Sequence, residues 1–236
     1  MESRFSVRTK SLARHMESEG VTVLTYTIDY PQFVSSFYPE SAHRISMHYR
    51  NQAHHLARTL ATELYPQAAD DRRSREEDGF PFNPYEVLHT FTLTYAGDCI
   101  ASLYADTYQF TGGAHGNTVR DSDTWDVTRA RRLTLSEIFP NNPNYRRDLI
   151  GAIQRDIAQN SESYFEDSAT LAEQNFNENN FYLTPDALVI YYQQYDIAPY
   201  STGIPEFRIP YGEYGARLPR CAPAIRNARR MLTPRA

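Results

Sequence analysis

The sequence predicts an α+β fold: an antiparallel sheet packed by one long helix, plus a smaller C-terminal part of helix and short strands. Two periodicities and their order carry this. Apolar residues recur every three or four positions from Pro39 to Leu64, then alternate in consecutive runs from Tyr85 to Val127. After residue 133 both periods return in shorter pieces. A helix laid on one face of such a sheet makes an α+β layer, and the other face can stay wet.

The first ordered element is expected at Val21 to Tyr30, where Leu24, Tyr26, Ile28 and Tyr30 alternate, and Pro31 ends it. Ile45, Tyr49, Ala53, Leu56, Leu60 and Leu64 form the stripe of the long helix, with Pro39 suited to its first turn and Pro66 expected to stop it. The charged segment Ala69 to Gly79 reads as a solvated loop. Tyr85 to Tyr95, Ile100 to Phe110 and Asn117 to Val127 read as hairpin-connected strands, the first turn being Ala96-Gly97-Asp98.

In the second half, Thr134 and Glu137 form a capping box. Asn142, followed by Pro143, is expected to cap a helix buried through Tyr145, Leu149, Ile153 and Ile157. A second box is readable at Thr170 and Glu173. Short strands are expected at Asn180 to Leu183, Leu188 to Tyr192 and Glu206 to Ile209. The organisation is therefore an N-terminal extension (1–20), a strand–helix–sheet part (21–132), a smaller helix-and-strands part (133–214) and a mobile tail (215–236).

The 236 residues suffice for a core without staples. The 18 tyrosines suit strands and interfaces. A net charge of −5 argues against nucleic acid, which needs a basic surface, and permits attraction to a basic partner. Nearly all cations are arginine, with Lys10 the single lysine; codon usage explains that bias as readily as ion pairing does. No run approaches the roughly 20 apolar residues of a membrane span. Met1 to Gly20 has no apolar targeting segment, so the chain as written reads as cytoplasmic, or as extracytoplasmic if an export segment precedes it.

Chemistry is hard to assemble from these residues. His43, His48, His54 and His55 lack the i, i+4 spacing of a helical zinc site, and Cys99 and Cys221 form no Cys-x-x-Cys pair; they can instead pair as a disulfide. No metal and no cofactor are expected. No Gly-x-Ser-x-Gly elbow is present. Asp106 with Asp121 or Asp123 across neighbouring strands would offer paired carboxylates, or simply a wet sheet face. Two segments stand out. Thr111-Gly112-Gly113-Ala114-His115-Gly116 is either a concave loop presenting His115 and free amides or a wide hairpin connection. Tyr191 to Pro205 concentrates Tyr, Pro and Gly, as contact loops do, or covers the core.

These two segments carry a resemblance. Tyr104 to Gly116, then Phe181-Tyr182-Leu183-Thr184-Pro185, Tyr195-Asp196-Ile197-Ala198-Pro199-Tyr200, Gly203 and Phe207-Arg208-Ile209-Pro210-Tyr211 resemble a bacterial domain family of unassigned function. It is the family of RsiV-type anti-sigma factor ectodomains and of the non-catalytic N-terminal part of PdaC-type deacetylases. The resemblance spans about Val21 to Tyr214. It implies a two-part α+β unit and, because RsiV-type proteins bind lysozyme directly at this region, a protein partner of lysozyme type or a cell-wall glycan. The expected function is a non-catalytic binding module using Gly112, Gly113, His115, Gly116, Tyr195, Asp196 and Tyr200. The alternative is a cell-wall-related hydrolase using His115 with a sheet carboxylate.

Overall fold

A computed structural model describes residues 3–220. Its larger sheet has the order β1-β2-β3-β4-β5-β6: β1 (Ser6–Ser18), β2 (Val21–Val34), β3 (Tyr85–Ala96), β4 (Ile100–Phe110), β5 (Asn117–Asp126) and β6 (Arg131–Arg132). All neighbours are antiparallel except β2 and β3, whose helical crossover returns the chain in the same direction. The α+β class and the three consecutive hairpin strands agree with the sequence.

The first ordered element begins at Ser6 rather than Val21, so most of the expected extension is strand. Ser18 pairs with Val21 across a two-residue turn in which Glu19 and Gly20 take φ of 52° and 78°. Positive φ at both positions is the hairpin turn that twists with its strands, and glycine makes it accessible. Edge strand β1 leaves most of its residues exposed, so it carries little apolar alternation for the sequence to reveal.

The crossover is α1 (Pro39–Thr59), one wide turn (Leu60–Leu64) and α2 (Tyr65–Glu77). Pro66 therefore does not end the helix. The Tyr65 amide reaches back five residues to the Leu60 carbonyl, and Pro66 falls in the first turn of the next segment, where its missing N–H costs nothing. The supposed loop after Ala69 is helical too, laced by Arg75 to Asp71 at 2.9 Å. Buried Arg72 pairs with Glu19 and Glu76.

Ile45, Tyr49, Ala53, Leu60 and Leu64 are buried against Leu24, Tyr26, Ile28, Val87 and Leu103 of one sheet face. Each large side chain removed from water contributes about 1.5–3 kcal/mol. The smaller part places α3 (Leu135–Ile138), α4 (Tyr145–Gln159) and α5 (Ser168–Gln174) beside an antiparallel sheet of β7 (Phe181–Leu183), β8 (Ala187–Tyr191) and β9 (Glu206–Pro210). The Thr134–Glu137 box is formed. Asn142 does not cap α4 directly: Asn144 is the cap, and Asn142 Oδ1 accepts the Asn144 amide at 2.9 Å. The box expected at Thr170 and Glu173 is absent because α5 already begins at Ser168.

Leu149, Ile153 and Ile157 pack with Leu183, Leu188, Ile190 and Phe207, and this core also takes in Cys99, Ile100 and Ala216. Ala216 is fully buried and the Arg217 amide bonds the Ile138 carbonyl at 2.9 Å, so the start of the expected mobile tail is packed. Cys221, and with it the Cys99–Cys221 pairing, lies outside the described residues. The smaller sheet sits on the larger sheet's face opposite α1. There the Leu183 amide donates to Ser102 Oγ at 2.8 Å.

Candidate functional site

The two loops singled out by the sequence meet. The His115 ring stacks on Tyr200 with centroids 4.0 Å apart and planes 20° from parallel. Tyr195 lies 6.0 Å from Tyr200 and is 49% exposed. Its backbone is left-handed, with φ of 68°. His115 is itself exposed, and its Nδ1 meets the Gly116 carbonyl at 2.9 Å. Its hydrogen-bond partner is thus its own backbone and not a carboxylate.

Gly116 is buried, and a Cβ there would stand 2.3 Å from the Tyr108 ring and 2.7 Å from the Gln109 carbonyl oxygen. Only glycine lets the loop pass over that ring. Gly112 and Gly113 shape the turn before it, and neither sits in the stack. Asp196 faces inward instead. Its Oδ2 accepts the Gln193 amide at 2.9 Å, and its carboxyl is raised by burial, partly offset by that bond.

Gln193 and Gln194 tie the second loop to β5. Gln193 Oε1 accepts the Arg120 amide at 2.9 Å while its Nε2 donates to the Arg120 carbonyl at 2.6 Å. Gln194 Oε1 accepts the Thr118 amide at 2.7 Å. The Arg120 side chain, only 8% exposed, joins the two sheets. It makes two 2.7 Å bonds to Asp106, pairs with Glu206 on β9 and lies 3.7 Å over the Tyr104 ring. Sequence spacing hid this junction because Glu206 is 86 residues away.

Asp106 consequently does not pair with Asp121 or Asp123. In the β4–β5 register Asp106 faces Arg120, whereas Asp121 faces Ala105 and Asp123 faces Leu103. Successive strand residues point to opposite faces. Asp106 therefore serves the sheet–sheet junction, and the other two aspartates lie on the helix side.

On that helix side is a cleft of about 590 Å³. Its floor is Phe91, Leu103 and Ala105; α1 supplies Tyr49, Gln52 and Leu56; Asn177, Asn179 and Phe181 form the far wall. Small Ala105 on the central strand leaves the floor open between Phe91 and Asp121. Tyr49 donates to Asp123 at 2.7 Å and accepts from Trp125 Nε1 at 2.6 Å. Arg132 meets Asp123 at 2.9 Å. Burial, and then the Asp123 charge, hold the Tyr49 phenol protonated far above its ordinary range. His89 meets Thr107 Oγ1 at 2.8 Å, and burial lowers its pKa. Asp121 is raised, first by burial and then by Asp123. The sequence offered Asp121 and Asp123 only as part of a pair with Asp106. That α1 roofs them follows from tertiary packing alone. Among the described residues no cluster of His, Cys, Asp and Glu could hold a metal, and no helix is long and apolar enough to cross a membrane.

With this geometry in hand, the chain proves similar to known proteins in two consecutive stretches. A family model described as deacetylase PdaC matches residues 17–118, and one described as protein of unknown function (DUF3298) matches residues 136–212. The peptidoglycan-N-acetylmuramic acid deacetylase PdaC of Bacillus subtilis (strain 168) is 24% identical over 117 residues, 48% of this chain and 24% of that protein. The chain thus spans about a quarter of that relative's length. A DUF3298 family member from Bacteroides fragilis matches with a TM-score of 0.64 at 19% identity, covering 89% of this chain and 92% of that one. A DUF3298 family protein from Pseudomonas aeruginosa matches with a TM-score of 0.56 at 22% identity, covering 89% and 94%. At these identities the likeness establishes the fold.

Proposed function

We propose that this chain is a non-catalytic binding module of RsiV-like type that serves the bacterial cell wall. Its contact surface is the one where the His115 and Tyr200 loops meet. The observation that carries this is the stack of exposed His115 on half-buried Tyr200, with exposed Tyr195 tilted beside it. Stacked rings with polar edges give a rigid, amphipathic face at low entropic cost, suited to a sugar ring or a partner's side chains. The rings are held from below: Gly116 lets the loop cross Tyr108, and Gln193 and Gln194 anchor the second loop on β5. A cell-wall setting is supported by the relative whose name specifies peptidoglycan.

The partner is a wall glycan or a protein of lysozyme type. Ring geometry supports the first. The net charge of −5 supports the second, because it attracts a basic protein over long range. His115 bonded to its own chain gives the hydrolase alternative no acid–base pair at this surface.

The test is titration of the purified chain against soluble peptidoglycan fragments and against lysozyme, each at low and moderate salt. Tyr200→Ala is expected to weaken binding about tenfold or more, as loss of a central aromatic contact does. Salt should weaken the lysozyme arm more than the glycan arm. Absence of binding to both ligands at both salts would remove this reading.

A further inference from the structure

The cleft under α1 runs from the helix-covered face of the larger sheet, around the β5 border, to Phe181 and Tyr191 of the smaller sheet, and none of His115, Tyr195 and Tyr200 lines it. Its groups divide sharply by how well they are satisfied. Asp123 is met by Tyr49 and Arg132, and His89 by Thr107. Asp121 lines the cleft, and its carboxylate, partly desolvated there, makes no hydrogen bond or ion pair among the described residues, although its backbone pairs with Ala105. Arg132 is already engaged with Asp123 and with His48 Nε2 at 2.6 Å. The lining charges are therefore two carboxylates against one guanidinium, a surplus of one negative charge. His89, its pKa lowered by burial, does not supply the missing cation at neutral pH.

The floor beside Asp121 is apolar, with Ala105 directly across from it and Phe91 beyond; Leu103 and, on the helix, Leu56 also line the cleft, while His89 and Arg132 act on the Asp121 charge. A volume of about 590 Å³ lies within the range of small-molecule sites. An anion would meet the surplus carboxylate, and a purely apolar ligand would leave it desolvated without a donor. A ligand with a cationic head and an apolar body answers both parts of the lining, since a charge-assisted N–H···O⁻ bond is roughly twice as strong as a neutral one.

We propose that the cleft between α1 and strands β3–β5 binds a small organic amine, its ammonium on Asp121 and its apolar body over Phe91, Leu103 and Leu56. The flat ring surface is not needed for it, so the two sites succeed or fail independently.

Trp125, the single tryptophan, reports on the cleft through a short relay, because its Nε1–H is bonded to the hydroxyl of the lining residue Tyr49, which bonds Asp123. The experiment titrates the full chain with phenethylamine and with its neutral isostere phenethyl alcohol, reading Trp125 fluorescence and calorimetric heat. Phenethylamine should saturate at least about tenfold more tightly than the alcohol. Asp121→Asn, an exposed substitution expected to fold normally, should erase that preference. Ala105→Phe, which fills the floor, should abolish binding of both. Tyr200→Ala should change none of these values. Equal affinity for amine and alcohol, an unaltered amine affinity in Asp121→Asn, or no saturation by phenethylamine at millimolar concentration would overturn the proposal. A short lysine peptide that binds while phenethylamine does not would also overturn it, by moving the ammonium to a partner's side chain.

Discussion

Tyr49 shows how much one hydroxyl can organise. It is buried in α1, accepts from Trp125 and donates to Asp123, so two residues of β5 are tied to the helix through a single oxygen. Replacing it with phenylalanine leaves the indole N–H and one carboxylate oxygen without that partner. Tyr49→Phe should cost about 1–3 kcal/mol, the penalty of stranded buried polar groups, and should shift the Trp125 emission. Denaturant unfolding followed by fluorescence checks both at once. From sequence, Tyr49 was legible as a member of the apolar stripe, because helical period reveals burial. Its hydrogen bonds were not legible, since period says nothing about which polar atom lies 74 residues away. The same holds for the ring stack. The sequence singled out His115 and Tyr200 separately, each by local composition, and only the fold brings them within 4.0 Å. Asp196, adjacent to Tyr195 and indistinguishable from it by composition, turns inward to cap its own loop.

Single elements carry their own pH dependence. Glu137 closes the box that starts α3, with its Oε2 accepting the Thr134 amide at 3.0 Å. Chiefly the two 2.8 Å bonds from Arg131, and then the Thr134 amide, hold its carboxyl down at about 2 against the upward push of burial. A carboxyl depressed in the folded state stabilises that state fully above its unfolded value, near 4.5, and loses the contribution as pH falls toward about 2. An NMR titration should show Glu137 still ionised at pH 3, and Glu137→Gln should remove the local acid-dependent step over that window. The box was readable from Thr134 and Glu137 alone, because capping is a local rule. The helix through Pro66 was not. The rule that proline ends a helix is also local, and here a widened turn placed Pro66 where a new first turn tolerates it. Strand β1 escaped for a different reason: an edge strand exposed along most of its length has no buried face to announce it.

For the whole molecule, Arg120 couples the larger and smaller sheets. Opposed carboxylates on β4 and β9, together with the Tyr104 face, hold its guanidinium and keep its pKa above even the ordinary arginine value, against the cost of burial. Arg120→Ala leaves Asp106 and Glu206 facing each other without a cation. It should lower stability by about 3 kcal/mol, and hydrogen exchange should rise first in β9. Glu206→Gln should cost less, since the Asp106 fork survives. A glutamine side chain completes the same junction: Gln193 engages both the amide and the carbonyl of Arg120, and Gln194 takes the Thr118 amide. Two side-chain amides thus imitate a further strand along β5. Such a border normally invites a neighbouring copy to add itself and continue the ladder, the first step toward fibrous assembly. Here the invitation is already answered from within the chain. The same glutamines that hold the ring-bearing loop in position close this stretch of the β5 border, between Thr118 and Arg120, to a neighbouring strand.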